Sequence, residues 1–224
     1  GVIGLPCPGV SLKMVPNGEK YELLVKGPNV TPGYLKRPDL TRNAFDADGY
    51  YKIGDAGMFA DPADPSKGIT FSGRIAEDFK LTTGTWVHVG KTRLEVLTAA
   101  APLIQDALVA GHDREFIGIL AWPNIAACRD LCCDTESAMT VEELVRSKEV
   151  SEHLHLAMAK YNGTHLGSAT RIKRIMLMTE PPSIDANEIT DKGYINQSAA
   201  LERRKNLVEQ LYSANPDPQV ITVS

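Results

Sequence analysis

The chain has 224 residues, 43% hydrophobic and 23% charged, with a formal net charge of −4. That is the balance of a globular protein long enough for one large domain or two small ones, each with its own core. The mild acidic excess gives no electrostatic footprint for nucleic acid or an anionic membrane, both of which call for clustered basic residues, and no apolar run approaches the about 18 residues of a membrane-crossing helix.

Taken in chain order, residues 10–72 read as β-rich. Val10 to Val15 alternates apolar and polar side chains, Pro16-Asn17-Gly18-Glu19 breaks it, and Tyr21 to Val25 resumes, which is a hairpin signal. Pro32-Gly33 and Asp48-Gly49 mark further turns, Asp61 to Pro65 is a polar loop, and Ile69-Thr70-Phe71 is the next strand. Short strands at this spacing suggest a small barrel. From Gly73 the pattern becomes mixed α/β. Thr85 to Val89 reads as a strand, and Thr92 to Ala100 as a helix stopped by Pro102. Ala107–Ala110 and Phe116–Ala121 are apolar strands joined by the turn His112-Asp113-Arg114-Glu115.

Thr140 with Glu143 three positions later makes a capping box, and Val150, Leu154, Ala157 and Tyr161 then fall on one helical face. His153 and His155 are two apart and point to different sides, unlike a helical metal pair at spacing four. Arg171 to Met178 is a strand that ends before Pro181-Pro182. Asn196 caps a final helix through Leu201, Val208, Leu211 and Tyr212, with Arg203-Arg204-Lys205 as a solvated basic face. The tail after Ser213 is expected to be loosely held. Of the four cysteines, Cys7, Cys128, Cys132 and Cys133, three crowd together without a neighbouring His. That suits neither zinc nor a disulfide framework, so they read as reduced thiols. With no signal-peptide pattern in Gly1-Val2-Ile3, a cytoplasmic location is expected.

Two motifs carry chemistry. Tyr51-Lys52-Ile53-Gly54-Asp55 is a Tyr-x-x-Gly-Asp turn, and Gly73-Arg74 opens an acidic-basic run through Glu77-Asp78-Phe79-Lys80. With Gly1 to Gly9, Tyr21 to Gly27, Pro32-Gly33-Tyr34, Thr41 and Phe45, their order resembles the C-terminal portion of the adenylate-forming acyl- and aryl-CoA ligases. Glu77 to Leu81, Gly84-Thr85-Trp86-Val87 and Thr190 to Gln197 most resemble the feruloyl-CoA synthetase branch. The family's Ser/Thr/Gly-rich phosphate loop and Tyr-Gly-x-Thr-Glu motif do not occur in this sequence and are expected before Gly1. The resemblance therefore implies a piece of a larger enzyme, inactive by itself.

It further implies an α/β fold. Residues 1–73 would be the β-rich, barrel-like end of the AMP-binding domain, 74–78 a hinge, and 79–224 a mobile domain that contacts the rest of the enzyme. Asp55 would bind the ribose hydroxyls of ATP, since a carboxylate offers paired acceptors to a vicinal diol; by its residues alone it reads as a turn carboxylate and not as a ligand. Arg74 would lie near ribose and phosphate, or merely pair with Glu77 or Asp78. Gly84 would line the route of the CoA thiol, or simply make a turn. Lys192 would be the catalytic cation, where most of the family places Lys at the position of Tyr194; without the resemblance it is a surface lysine. The usual polar hinge residue is Ala76 here. Mg2+ would be held outside this chain, and the substrates would be a small carboxylic acid, ATP and CoA. The alternatives are the adenylation portion of a carboxylic acid reductase or carrier-protein loader, or a non-catalytic binding module.

Overall fold

A computed structural model describes residues 2–17, 20–134 and 138–223. The chain divides into two compact units, Gly1–Asp78 and Phe79–Ser224.

In the first unit, β1 (Val2–Gly4), β2 (Ser11–Asn17), β3 (Lys20–Lys26), β4 (Tyr51–Phe59) and β5 (Ile69–Arg74) form one antiparallel sheet in the order β1-β5-β4-β3-β2. The expected hairpin is present, with Leu12 opposite Val25 and Met14 opposite Leu23; Gly18 and Glu19, assigned to its turn, lie outside the described residues. The barrel expectation gives way to an open sheet. β1 and β2 are its two edges and do not pair, because strand spacing counts strands but says nothing about closure. One short helix, α1 (Pro38–Ala44), was not foreseen: it buries no residue and so has no apolar stripe to betray it.

In the second unit, a two-stranded hairpin of β6 (Phe79–Lys80) and β7 (Trp86–Val87) precedes α2 (Val89–Ala99). Then come β8 (Ile104–Ala110), β9 (Ile117–Pro123), α3 (Ile125–Leu131), α4 (Val141–Val145), α5 (Lys148–Thr164), β10 (Ile172–Leu177), α6 (Gln197–Arg203), α7 (Lys205–Tyr212) and β11 (Val220–Thr222). The sheet order is β11-β10-β9-β8; β9 and β10 run parallel and the outer pairs antiparallel. A parallel pair needs a long crossover, which α3, α4 and α5 provide. The capping box predicted for α4 is in place, with Thr140 accepting from the Glu143 amide and Glu143 from the Thr140 amide.

Both faces of this sheet are covered, which is why β9 reads as an unbroken apolar run. Alternate residues separate two cores. Val109, Ile117, Ile119 and Ile175 pack with Val96, Leu154 and Met158 on one side. Leu108, Leu120, Trp122 and Met176 pack with Ala200, Leu211 and Ile195 on the other. The tail corrects another expectation, since β11 pairs with β10 and Val220 and Val223 are buried.

The last helix also differs from its sequence reading: α6 and α7 are separate, broken at Arg204. α7 lies close on β9 because Gly118 has no side chain; a Cβ there would come within 2.6 Å of buried Leu211. Tyr212 Oη donates to the Phe116 carbonyl and accepts from the Gly118 amide, each at 2.9 Å, so α7 cannot easily retreat. Gly118→Ala is therefore expected to cost about 1–3 kcal/mol, as overpacked cores do, measurable as a lower urea midpoint at unchanged slope.

Candidate functional site

Asp55 lies where β4 bulges. The pairing with β5 shifts between Asp55 and Gly57, and the neighbouring Gly54 has φ +76°. The expected turn is thus a kink inside a continuous strand, and glycine accepts the left-handed torsion that other residues resist. Register sets Asp55 opposite Arg74 on β5. Arg74 Nη1 is 3.0 Å from Asp55 Oδ1 and donates to the Ile53 carbonyl at 3.0 Å. Arg74 thus pairs across the sheet, and Asp78 pairs with buried Lys20. The Arg74 side chain is 53% exposed and that of Asp55 27%. Asp55 Oδ1 itself is shielded from solvent, so the Arg74 end is the open end of the pair.

Lys192 sits at the tip of a tight reversal between β10 and α6. Thr190 N donates to the Tyr194 carbonyl at 2.8 Å, and Gly193 N donates to the Thr190 carbonyl at 2.9 Å. Ile189 and Ile195 form an antiparallel bridge below. Gly193 has φ +81° with open space where a Cβ would go, so its need is for torsion, not room. The Lys192 side chain is exposed, and among the described residues it forms no hydrogen bond or ion pair. An ammonium so placed is free to reach an anion.

Gly84 turns the β6–β7 hairpin, again at positive φ with nothing near its absent Cβ. Its amide donates to the Leu81 carbonyl at 2.8 Å, and Leu81 N donates to the Thr85 carbonyl at 3.0 Å. Lys80 lies 5.0 Å from the Trp86 ring centroid beside this turn, and Thr82 N fastens it to the Arg114 carbonyl at 2.9 Å.

The fold therefore joins Asp55 to Arg74 directly and sets Lys192 and Gly84 on separate turns of the other unit. Sequence reasoning missed what stands beneath Lys192. Glu188 is fully buried and Arg204 is 3% exposed; Arg204 Nε donates to Glu188 Oε1 at 2.6 Å, and Arg203 Nη1 to Glu188 Oε2 at 2.5 Å. Burial alone would push the Glu188 carboxyl up, but hydrogen bonds from Arg204, the Ser183 amide and Arg203 outweigh it and hold it down to about 2. Among the described residues no group of His, Cys, Asp and Glu is arranged to hold a metal ion, and no helix is long and apolar enough to cross a membrane.

The profile of the AMP-binding enzyme C-terminal domain matches residues 81–216, more than half of the chain. The chain belongs to that family. The matched stretch takes in both the Gly84 and the Lys192 turns, so membership among the AMP-binding enzymes bears on the second unit directly. Curated relatives are acyl-activating enzymes. The chain is 26% identical to the probable acyl-activating enzyme 16, chloroplastic, of Arabidopsis thaliana, covering 95% of this chain and 31% of the relative. It is 28% identical to a long-chain-fatty-acid–CoA ligase of Mycobacterium tuberculosis, covering 95% and 34%. A chloroplastic long-chain-fatty-acid–acyl-carrier-protein ligase of Arabidopsis thaliana is 24% identical, covering 95% and 29%. The chain thus spans about a third of the length of these relatives. Its fold is similar to the A domain of carboxylic acid reductase from Segniliparus rugosus, solved with AMP and a co-purified carboxylic acid, with TM-score 0.71 and 23% identity over 93% of this chain and 32% of that one.

Proposed function

We propose that this chain is the C-terminal part of an ATP-dependent acid–thiol ligase that makes an acyl-adenylate and passes the acyl group to CoA. The observation that carries the reading is the Lys192 turn, a free ammonium on a braced hairpin within the matched domain. Adenylation brings a carboxylate against the α-phosphate of ATP and expels pyrophosphate. Anion meets anion, and a fixed cation at the meeting point relieves the transition state more than the ground state. Lys192 supplies it. Asp55 accepts the ribose hydroxyls, and Arg74, released from Asp55 or shared with it, faces the phosphate side. Residues 74–78 form the hinge, Gly84 borders the thiol's route, and the remainder of the ligase contributes the phosphate loop and the acid pocket. Magnesium accompanying ATP is assigned to that remainder. A cytoplasmic enzyme is the expectation.

The branch resemblance of Thr190 to Gln197 supports an aryl acid of the feruloyl type, whereas the relatives act on long-chain fatty acids by name. A second reading keeps the adenylation and changes the acceptor to a carrier protein; the acyl-carrier-protein ligase among the relatives favours it. The test is pyrophosphate exchange by the full-length ligase with ferulate and with palmitate, followed by transfer to CoA or to acyl carrier protein. Exchange with neither acid overturns the aryl and fatty assignments together, and transfer to the carrier alone overturns the CoA assignment. The 224-residue chain by itself is expected to show no exchange with either acid, since it spans about a third of its relatives' length; detectable exchange by the purified chain would refute the division of labour.

A further inference from the structure

Lys192 is exposed, yet the turn that carries it is fastened at both feet by buried polar side chains. On the incoming side is Glu188. Its Oε2 accepts from the Ser183 amide at 2.8 Å and from Arg203, and Arg204 grips both carboxylate oxygens. Arg204 is fixed in turn by the carbonyls of Glu180 at 3.1 Å and Pro181 at 3.0 Å, with its guanidinium 5.1 Å from the Trp122 ring centroid. The clasp therefore ties the turn to the end of β10 and to the α6–α7 junction.

On the outgoing side is Gln197, which is 2% exposed. Its Oε1 accepts from the Val109 amide at 3.3 Å and its Nε2 donates to the Val109 carbonyl at 2.6 Å. Val109 is on β8, an edge strand, so a side-chain amide completes the strand pairing there. Between the two feet, Asn196 N donates to the Glu188 carbonyl at 2.9 Å and closes the loop.

A buried ion pair is poor value as a stabiliser, because desolvation consumes most of the attraction and well-packed apolar groups of similar volume serve as well or better. Its siting at the foot of this turn has a geometric use instead. We infer that Glu188 and Gln197 are positioning residues that clamp the two stems of the Lys192 turn, fixing where the ammonium can reach during adenylation. The inference rests on the reading of Lys192 as the adenylation cation.

The experiment uses the full-length ligase with Glu188→Gln, Gln197→Leu, Lys192→Ala, the Glu188→Gln/Lys192→Ala double variant, and Met158→Ala. The last makes a cavity in the opposite core and controls for lost stability. Single-turnover adenylation by Glu188→Gln and by Gln197→Leu should slow by roughly 10- to 100-fold, the scale of a small misplacement of a reacting group. The apparent ATP affinity and thioester formation from preformed adenylate should be unchanged, and the Thr190, Gly193 and Asn196 amides should exchange faster with deuterium. The Glu188→Gln effect should vanish in the Lys192→Ala background, since both act through one ammonium. Normal adenylation by Lys192→Ala would sink the functional reading itself. Slow adenylation by Lys192→Ala with normal adenylation by Glu188→Gln and Gln197→Leu would overturn the clamp alone. So would an equal slowing by Met158→Ala, an undiminished Glu188→Gln effect in the double variant, or loop amides that stay protected.

Discussion

On the proposed reading, Lys192→Ala in the full-length protein should slow adenylate formation by about 10²–10³-fold or more, the measured scale for removing one preorganised donor from developing charge. The structure makes this a clean substitution. Lys192 is exposed and among the described residues has no hydrogen bond or ion pair to lose, and surface changes of that kind shift stability by no more than about 0.5 kcal/mol. A large kinetic loss would therefore report the missing charge and not a damaged fold. The turn itself is held by main-chain bonds between Thr190, Gly193 and Tyr194 and by the Ile189–Ile195 bridge, none of which involves the ammonium. If the domain carrying Lys192 rotates between the two half-reactions, thioester formation from supplied acyl-adenylate and CoA proceeds with Lys192 turned away. That half-reaction should keep a near-normal rate in the variant. Single-turnover kinetics of each half separately is the measurement. Equal losses in both would make Lys192 a structural residue, and normal adenylation would move the role to another cation.

The parts of the fold that were legible in the sequence are those fixed by neighbours along the chain. The β2–β3 hairpin follows from alternation, the α4 capping box from two residues three apart, and the buried face of α5 from a 3.6-residue period. What was not legible depends on partners far away in sequence. Arg204 stands in an Arg-Arg-Lys run and reads as solvated, yet it turns inward to Glu188, sixteen positions earlier. Apolar periodicity alone reads one helix where the backbone at Arg204 separates α6 from α7. α1 has a proline at its start and little else.

The candidate site divides in the same way. A Lys-Gly pair after polar residues announces an exposed turn, and Lys192 is on one. The Asp55–Arg74 pair needs the register of β4 on β5, bulge included, and no local signal encodes it. Glu188 and Gln197 are ordinary polar residues by sequence; only their burial marks them.

Glu188→Ala should be among the most damaging single substitutions in the second unit, at about 3–5 kcal/mol, because it strands a buried guanidinium without its counter-charge. Arg204 keeps the carbonyls of Glu180 and Pro181, which argues for the lower end of that range. Glu188→Gln keeps the shape and removes the charge, so it isolates the electrostatic part and predicts a pH signature. The folded-state carboxyl is held down to about 2 against an ordinary 4.5. A depressed acid contributes its stability above the unfolded value and loses it as pH falls through the folded one. Arg203 and Arg204 stay charged throughout, so nothing in the clasp compensates. The wild-type advantage over Glu188→Gln should hold from pH 7 to about 5 and shrink steadily from pH 4.5 toward 2. Asp46, Asp61, Asp134 and Glu143 are also held below their ordinary values, but they titrate alike in both proteins and cancel in the difference. Urea unfolding at intervals from pH 7 to pH 2.5, variant against wild type, measures that difference. A gap that stays constant across the acid range would mean that Glu188 has the same pKa folded and unfolded, so that the clasp does not favour the charged form. A gap that moves in favour of wild type as pH falls from 7 to 4.5 would mean that Glu188 is protonated in the native protein, a neutral hydrogen-bonded contact and not an ion pair.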